Sequence, residues 1–166
     1  MDMIKFFLGI GIVAFSSYCG RLLAKKYRQR NSFLKQFKEF NERFLNEITY
    51  ARRPLIDFIS AYSYEGEFRV LLQEFYLFLK EKASNSCFTI EGQAYAFLRA
   101  EDRQVVEDYF LMLGKGDSVS QKGYFSGMKG VLVELHTQSY NDAKRYSDLY
   151  VKIGFLCGLL LLILMI

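Results

Sequence analysis

The last seventeen residues, Tyr150 to Ile166, read YVKIGFLCGLLLLILMI, and from Ile153 onward fourteen residues carry no charge and no strongly polar group. At about 1.5 Å per residue this run makes a helix of about 21 Å, or about 25 Å counted from Tyr150, against a bilayer hydrocarbon core of about 30 Å. Lys152 can snorkel to the interface while its stem lies along apolar surface, so the span is short but workable. A core helix of a small soluble domain would show a polar stripe on one face. This run shows none, and membrane insertion is the expectation.

The opposite end offers a second anchor. From Ile4 to Ala24 the sequence IKFFLGIGIVAFSSYCGRLLA holds fifteen uncharged residues between Lys5 and Arg21. Lys5 and the apolar run to Phe15 also fit the opening of a signal peptide. However, bulky Tyr18 precedes Cys19, where a lipoprotein cleavage site wants a small residue, and an uncleaved anchor is favoured. Lys25, Lys26, Arg28 and Arg30 then form a juxtamembrane basic cluster. Positive clusters stay cytoplasmic, so the middle of the chain is expected in the cytoplasm with both ends across the membrane. Residues 1–30 carry +5 of a total of +4, leaving −1 for the rest, so the positive charge belongs to the membrane boundary and not to a nucleic-acid surface.

The expected organisation is an N-terminal transmembrane helix over 1–24, a cytoplasmic helical bundle over 25–149 and a C-terminal transmembrane helix over 150–166. With 166 residues, the middle is enough for one small domain. The whole chain has one Pro, no Trp, 16 Phe and 12 Tyr, a composition suited to helices packed through rings. Three cysteines, two of them in the apolar ends, imply no disulfide framework.

Periodicity is helical almost throughout. Phe33, Phe37, Phe40, Phe44 and Ile48 recur at three- and four-residue spacing and define one helix, continuous with the first span and ending near Arg53 ahead of Pro54. A second short helix carries Leu55, Phe58, Ile59 and Tyr62, and a third runs from about Glu67 to Ala83. After the polar connector Ser84-Asn85-Ser86, a fourth helix is expected with Thr89 as cap and Ile90, Ala94, Phe97 and Leu98 on one face. A fifth runs from Asp102 to a stop at Gly114, and the last continues unbroken into the C-terminal span. The fold class is therefore all-α, a membrane-anchored antiparallel bundle of about six helices whose first and last helices extend into the spans. Gly123, Gly127 and Gly130 lie inside the last helix, at about 1 kcal/mol each relative to Ala, and close packing within the bundle is the favoured reason.

The search for chemistry comes back empty. His136 has no Cys or Asp at metal spacing and is expected to be a polar surface residue. Leu113-Gly114-Lys115-Gly116-Asp117 has the letters of a phosphate loop without its spacing. Glu101-Asp102 and Glu107-Asp108 are expected to be solvated charge on exposed faces. No enzyme activity, cofactor, metal, nucleic acid or small-molecule substrate is expected. A lipid-handling membrane enzyme would need a polar cluster within the spans, where only Ser16 and Ser17 are visible.

Nearly end to end, the chain resembles the stage III sporulation protein AB family. The resemblance rests on Gly20, Ala24, Tyr27 and Arg30, then Glu47-Ile48, Tyr50 and Pro54-Leu55, then Leu113-Gly114, Asp117 and Gln121, and finally Ala143, Gly154 and Gly158 before a Leu-rich end. One departure is Tyr109-Phe110, where the family usually has an aromatic-Gly pair. The resemblance implies a cytoplasmic bundle similar to that of platform protein F of type II secretion and type IV pilus machines. It further implies a non-enzymatic membrane platform of a mother-cell-to-forespore channel complex, working with a cytoplasmic secretion-type ATPase and other channel proteins. The location so implied is the mother-cell side of the outer forespore membrane, two-pass, with the central domain cytoplasmic. The alternative is a two-anchor membrane scaffold unrelated to sporulation. Partner docking is expected at the tips between helices, around Tyr62 to Glu67 and Leu113 to Gln121, with Leu113, Gly114, Asp117 and Gln121 as the candidate interface or helix-turn motif.

Overall fold

Phe33 and the ring-bearing positions that follow it at helical spacing are buried in a single aromatic core, which is what the composition demands of a chain this rich in Phe. The computed structural model describes residues 2–51, 53–81, 88–90, 92–113 and 118–165. Among these the chain is all-helical. Five α-helices follow one another: α1 (Asp2–Asn46), α2 (Leu55–Ala61), α3 (Gly66–Lys80), α4 (Ala100–Met112) and α5 (Ser118–Met165). Two compact units result, one from 1–31 and 138–166, the other from 32–137.

In the second unit, Phe33, Phe37, Phe40 and Phe44 line one face of α1 at no more than 5 % exposure. Edge-to-face pairs tie this stripe to every other helix of the unit. Phe40 meets Phe58 of α2 at 5.4 Å between centroids, Phe37 meets Tyr109 of α4 at 4.8 Å, and Phe44 meets Phe125 of α5 at 5.0 Å. The positive edge of one ring against the negative face of another adds about 0.5–1.5 kcal/mol per pair beyond the burial itself. Phe110, at the Tyr109-Phe110 departure from the family pattern, packs 4.7 Å from Phe75 and is 2 % exposed. The large ring is absorbed by the core.

Helix α1 does not reach Arg53 as a regular α-helix. Its last turn widens into a π-helix over Glu47–Ala51 ahead of Pro54, whose ring excludes helix in the residue before it. Buried Glu47 accepts from Arg53 Nε at 3.0 Å and from the Arg53 backbone N–H at 3.4 Å, which ties off the helix end. Pro54 then supplies the first carbonyl of α2, bonded to Phe58 N–H at 3.0 Å.

Two sequence expectations fail in this unit. The fourth helix around Thr89–Leu98 is a single 3-10 turn, Gln93–Tyr95. Gly92 enters it at φ 108°, outside helical backbone, and side chains of α4 hold the segment in place of a helical ladder. Glu107 accepts from the Ile90 N–H at 2.8 Å, and Arg103 donates to the Tyr95 carbonyl at 2.9 Å. Ile90, Tyr95, Phe97 and Leu98 are buried all the same, so the apolar spacing was real and its helical reading was not. The acidic pairs are solvated only in part, Glu101 and Asp108 being exposed as expected and their neighbours not. Asp102 is 1 % exposed and accepts from the Arg99 N–H at 3.0 Å, capping α4, while Glu107 is committed to Ile90.

The third correction concerns α5. A methyl group placed on Gly123, Gly127 or Gly130 would meet nothing within 4 Å, so these glycines face open space and do not serve close packing within the bundle. The connector at 84–86, the stop at Gly114 and the connection through Asp117 lie outside the described residues.

Candidate functional site

In the first unit the apolar ends of α1 and α5 run antiparallel in direct backbone contact. A Cβ on Gly20 would lie 2.5 Å from the Tyr150 carbonyl oxygen, and one on Gly154 would lie 2.8 Å from the Ser16 carbonyl and 3.2 Å from the Gly20 Cα. One on Gly158 would lie 2.8 Å from the Val13 Cα. No residue larger than glycine fits at these three points. The Ser16 hydroxyl donates across the seam to the Gly154 carbonyl at 2.6 Å, satisfying a polar group where water is scarce. Ala24 and Ala143 continue the tight face, at 2 % and 9 % exposure.

Beyond the glycine seam the same two helices are joined by polar contacts. Tyr27 stacks on Tyr146 and Tyr150 at 5.2 and 5.7 Å. Arg28 Nε donates to Ser147 Oγ at 2.7 Å, and Arg30 Nη1 pairs with Asp142 Oδ2 at 3.0 Å. Ser139 Oγ donates to Asn31 Oδ1 at 3.4 Å. The basic cluster read from the sequence therefore divides. Lys25 and Lys26 are exposed, whereas Arg30 is 3 % exposed and neutralised by a partner more than a hundred residues away.

Opposite the seam, large apolar side chains have no protein neighbour to cover them. Phe15 is 71 % exposed, and Leu160 and Ile163 are 58 % and 63 % exposed. Glycine inside and bulky hydrocarbon outside is the reverse of a water-soluble helix pair, and it is the distribution lipid-embedded helices show. Helix α5 is, among the described residues, the one helix long and apolar enough to cross a membrane.

A family model, stage III sporulation protein AB (spore_III_AB), matches residues 5–166. The chain belongs to the stage III sporulation protein AB family. No curated protein and no solved structure matches it. Membership implies a role in sporulation and association with other sporulation proteins.

Several of the residues that carried the stage III sporulation protein AB resemblance lie at the helix pair. Gly20, Gly154 and Gly158 are its closest approaches, Ala24 and Ala143 its flanks, Tyr27 and Arg30 its polar end. Reading the sequence did not find this seam. The available signal was small residues repeating every four positions, Ser16, Gly20 and Ala24 on one helix and Gly154 and Gly158 on the other.

Of the four candidate interface residues, two are described. Leu113 is buried at 4 % exposure, Gln121 is half-buried, and Gly114 and Asp117 lie outside the described residues. The other tip fares better: Tyr62 and Tyr64 edge a cleft of about 740 Å³ against α3. His136 is half-buried, and burial together with the Lys38 and Lys35 ammonium groups pushes its pKa down. Among the described residues no group of His, Cys, Asp and Glu is placed to hold a metal ion.

Proposed function

We propose that this chain is a non-enzymatic platform of a sporulation channel complex, held in the mother-cell membrane by both apolar helix ends and coupling a cytoplasmic secretion-type ATPase to the membrane assembly. The observation that carries the reading is the glycine seam between Gly20 and Gly154, with bulky apolar side chains turned outward, in a chain of the stage III sporulation protein AB family. Two helices that pack through backbone and expose hydrocarbon form a hairpin suited to a bilayer. Lys25 and Lys26 then favour the cytoplasm for the residues between the two spans. Those residues form the part offered to partners, with its aromatic core as a stiff support.

The test is a cysteine-accessibility map with a membrane-impermeant reagent on Asn31→Cys, Ser84→Cys and Ser118→Cys variants lacking the native cysteines. All three sites should label only after lysis. Labelling in intact cells would overturn the two-pass topology. Copurification with the sporulation ATPase from detergent extracts tests the coupling role, and its absence under conditions that preserve the rest of the complex would remove that role.

A further inference from the structure

Lysine and arginine are divided unevenly between the two units: residues 1–31 and 138–166 together carry a net +6, and residues 32–137 carry −2. In the first unit the exposed cations gather where the apolar ends give way to polar sequence. Arg21, Lys25 and Arg28 follow one another at spacings of four and three, so they share one face of α1, each one residue beyond the seam positions Gly20, Ala24 and Tyr27. On α5, Lys144 follows Ala143 in the same way. In an antiparallel pair, positions displaced in the same sense from the seam fall on the same side. Arg30 and Asp142 show this for the opposite side, where they precede Asn31 and Ala143 and meet at 3.0 Å.

Unlike Arg30, the four cations Arg21, Lys25, Arg28 and Lys144 are exposed. Arg28 is steadied through its Nε on Ser147, which leaves its Nη groups unpartnered, and the other three make no hydrogen bond or ion pair among the described residues. Asp148, the one carboxylate on this side, stands a helical turn from Lys144 and does not pair with it. The positive charge is therefore open to an external anion.

The same side continues as hydrocarbon toward the chain ends. Tyr18, one turn from Arg21, is 58 % exposed, and Phe155, one residue beyond Gly154, is 50 % exposed. From Arg21 to Arg28 the axis advances about 10 Å, against about 5–8 Å for the headgroup layer on one face of a bilayer. Flexible Lys and Arg stems bridge the difference. A free phosphate would use the cations and leave the rings unused. An acidic protein segment would lie in water, whereas these cations border a surface that acyl chains cover in a bilayer.

We infer that this side of the helix pair is a binding site for an anionic phospholipid, its phosphate among Arg21, Lys25, Arg28 and Lys144 and an acyl chain along Tyr18 and Phe155. Guanidinium forks match phosphate oxygens two at a time, and each basic residue close to an anionic lipid surface is worth roughly fivefold in affinity. The site rests on the membrane placement proposed above and requires neither the ATPase nor a channel.

The chain has no Trp, so Phe155→Trp sets a single fluorophore beside the site, and Ile153→Trp sets one on the opposite side at matching depth. The full chain with either substitution is reconstituted into phosphatidylcholine vesicles, and quenching is titrated with brominated phosphatidylglycerol or brominated phosphatidylcholine. At position 155 the anionic lipid should be preferred roughly fivefold or more, and at 153 the two lipids should quench alike. Lys25→Gln with Lys144→Gln should bring the ratio at 155 close to one. Lys122→Gln with Lys129→Gln, which removes the same charge from exposed positions of the other unit, should leave it unchanged. Circular dichroism checks that each variant keeps its helix. Equal quenching by both lipids at 155, the same preference at 153 as at 155, or a preference that survives Lys25→Gln with Lys144→Gln overturns the site. So does loss of the preference in millimolar inorganic phosphate, which would mark a soluble-anion site, or with oligoglutamate, which would mark an acidic partner protein. If neither brominated lipid quenches either fluorophore, the apolar ends lie outside the bilayer and the membrane placement fails with the site. Equal quenching by both lipids removes the site alone.

Discussion

The Tyr109 hydroxyl donates to Asn41 Oδ1 at 3.0 Å inside the aromatic core, and the Asn41 amide in turn donates to the Phe125 carbonyl at 3.1 Å. Three helices, α4, α1 and α5, are thereby joined by one polar chain in an otherwise apolar interior. Tyr109 is fully buried and Asn41 is 1 % exposed, so neither group has water to fall back on.

Asn41→Ala should therefore cost more than Tyr109→Phe. The first loses two hydrogen bonds and leaves the Tyr109 phenol without its acceptor, at about 1–3 kcal/mol, while the Phe125 carbonyl falls back on its bond within α5; the second loses one bond, worth about 1 kcal/mol net, and leaves one amide oxygen unmet. Denaturant unfolding of the full chain in detergent, with both variants measured side by side, checks the order.

Burial raises the pKa of Tyr109 well above its ordinary value, and burial with the Glu74 hydrogen bond raises that of Tyr95. The folded chain holds these protons more tightly than the unfolded chain. Their contribution is intact below the unfolded-state value of about 10 and is lost as pH rises beyond it. Unfolding midpoints measured from pH 8 upward should fall above about pH 10. Tyr109→Phe should make that fall shallower by one proton.

His136 has the opposite sign. Its pKa is lowered by burial, then by Lys38 and Lys35, so its contribution is present above the unfolded value of about 6.5 and is lost as pH falls through the lower folded value. His136→Gln should flatten the acid limb of the stability profile in this range, and NMR titration of the imidazole should give a midpoint below 6.5.

Glycine replacements separate the seam from the open face. Gly20→Ala and Gly154→Ala place a methyl against backbone oxygen and should part the two helices, lowering the melting temperature in detergent. Gly123→Ala and Gly127→Ala meet only open space and should stabilise the chain by about 1 kcal/mol each. Equal behaviour of the two sets would contradict the packing described.

Arg30→Ala removes the buried guanidinium from beside Asp142, whose side chain is 22 % exposed, and should cost about 1.5–3 kcal/mol, the range for a hydrogen bond to a charged group. Arg30→Met with Asp142→Leu should recover most of it, since the pair offsets its own desolvation only in part.

Much of the architecture could be read from spacing alone. The Phe stripe of α1, the break at Pro54, α3, α4 and the unbroken α5 all follow from apolar positions repeating every three or four residues, a pattern that burial of one helix face enforces locally. The apolar ends and the absence of a nucleotide loop are properties of composition and order, and no tertiary contact is needed to recognise them. What the tertiary structure alone decided are matters of partnership. Ile90, Phe97 and Leu98 kept helical spacing yet were buried without a helix, because Glu107 and Arg103 from α4 met their backbone instead. Asp102 and Arg30 looked like surface charge until a cap and Asp142 accounted for them. Glycine posed the same ambiguity twice. Gly154 admits another backbone and Gly127 admits nothing, and a residue without a side chain carries no mark of which it will be until the neighbouring helix is in place.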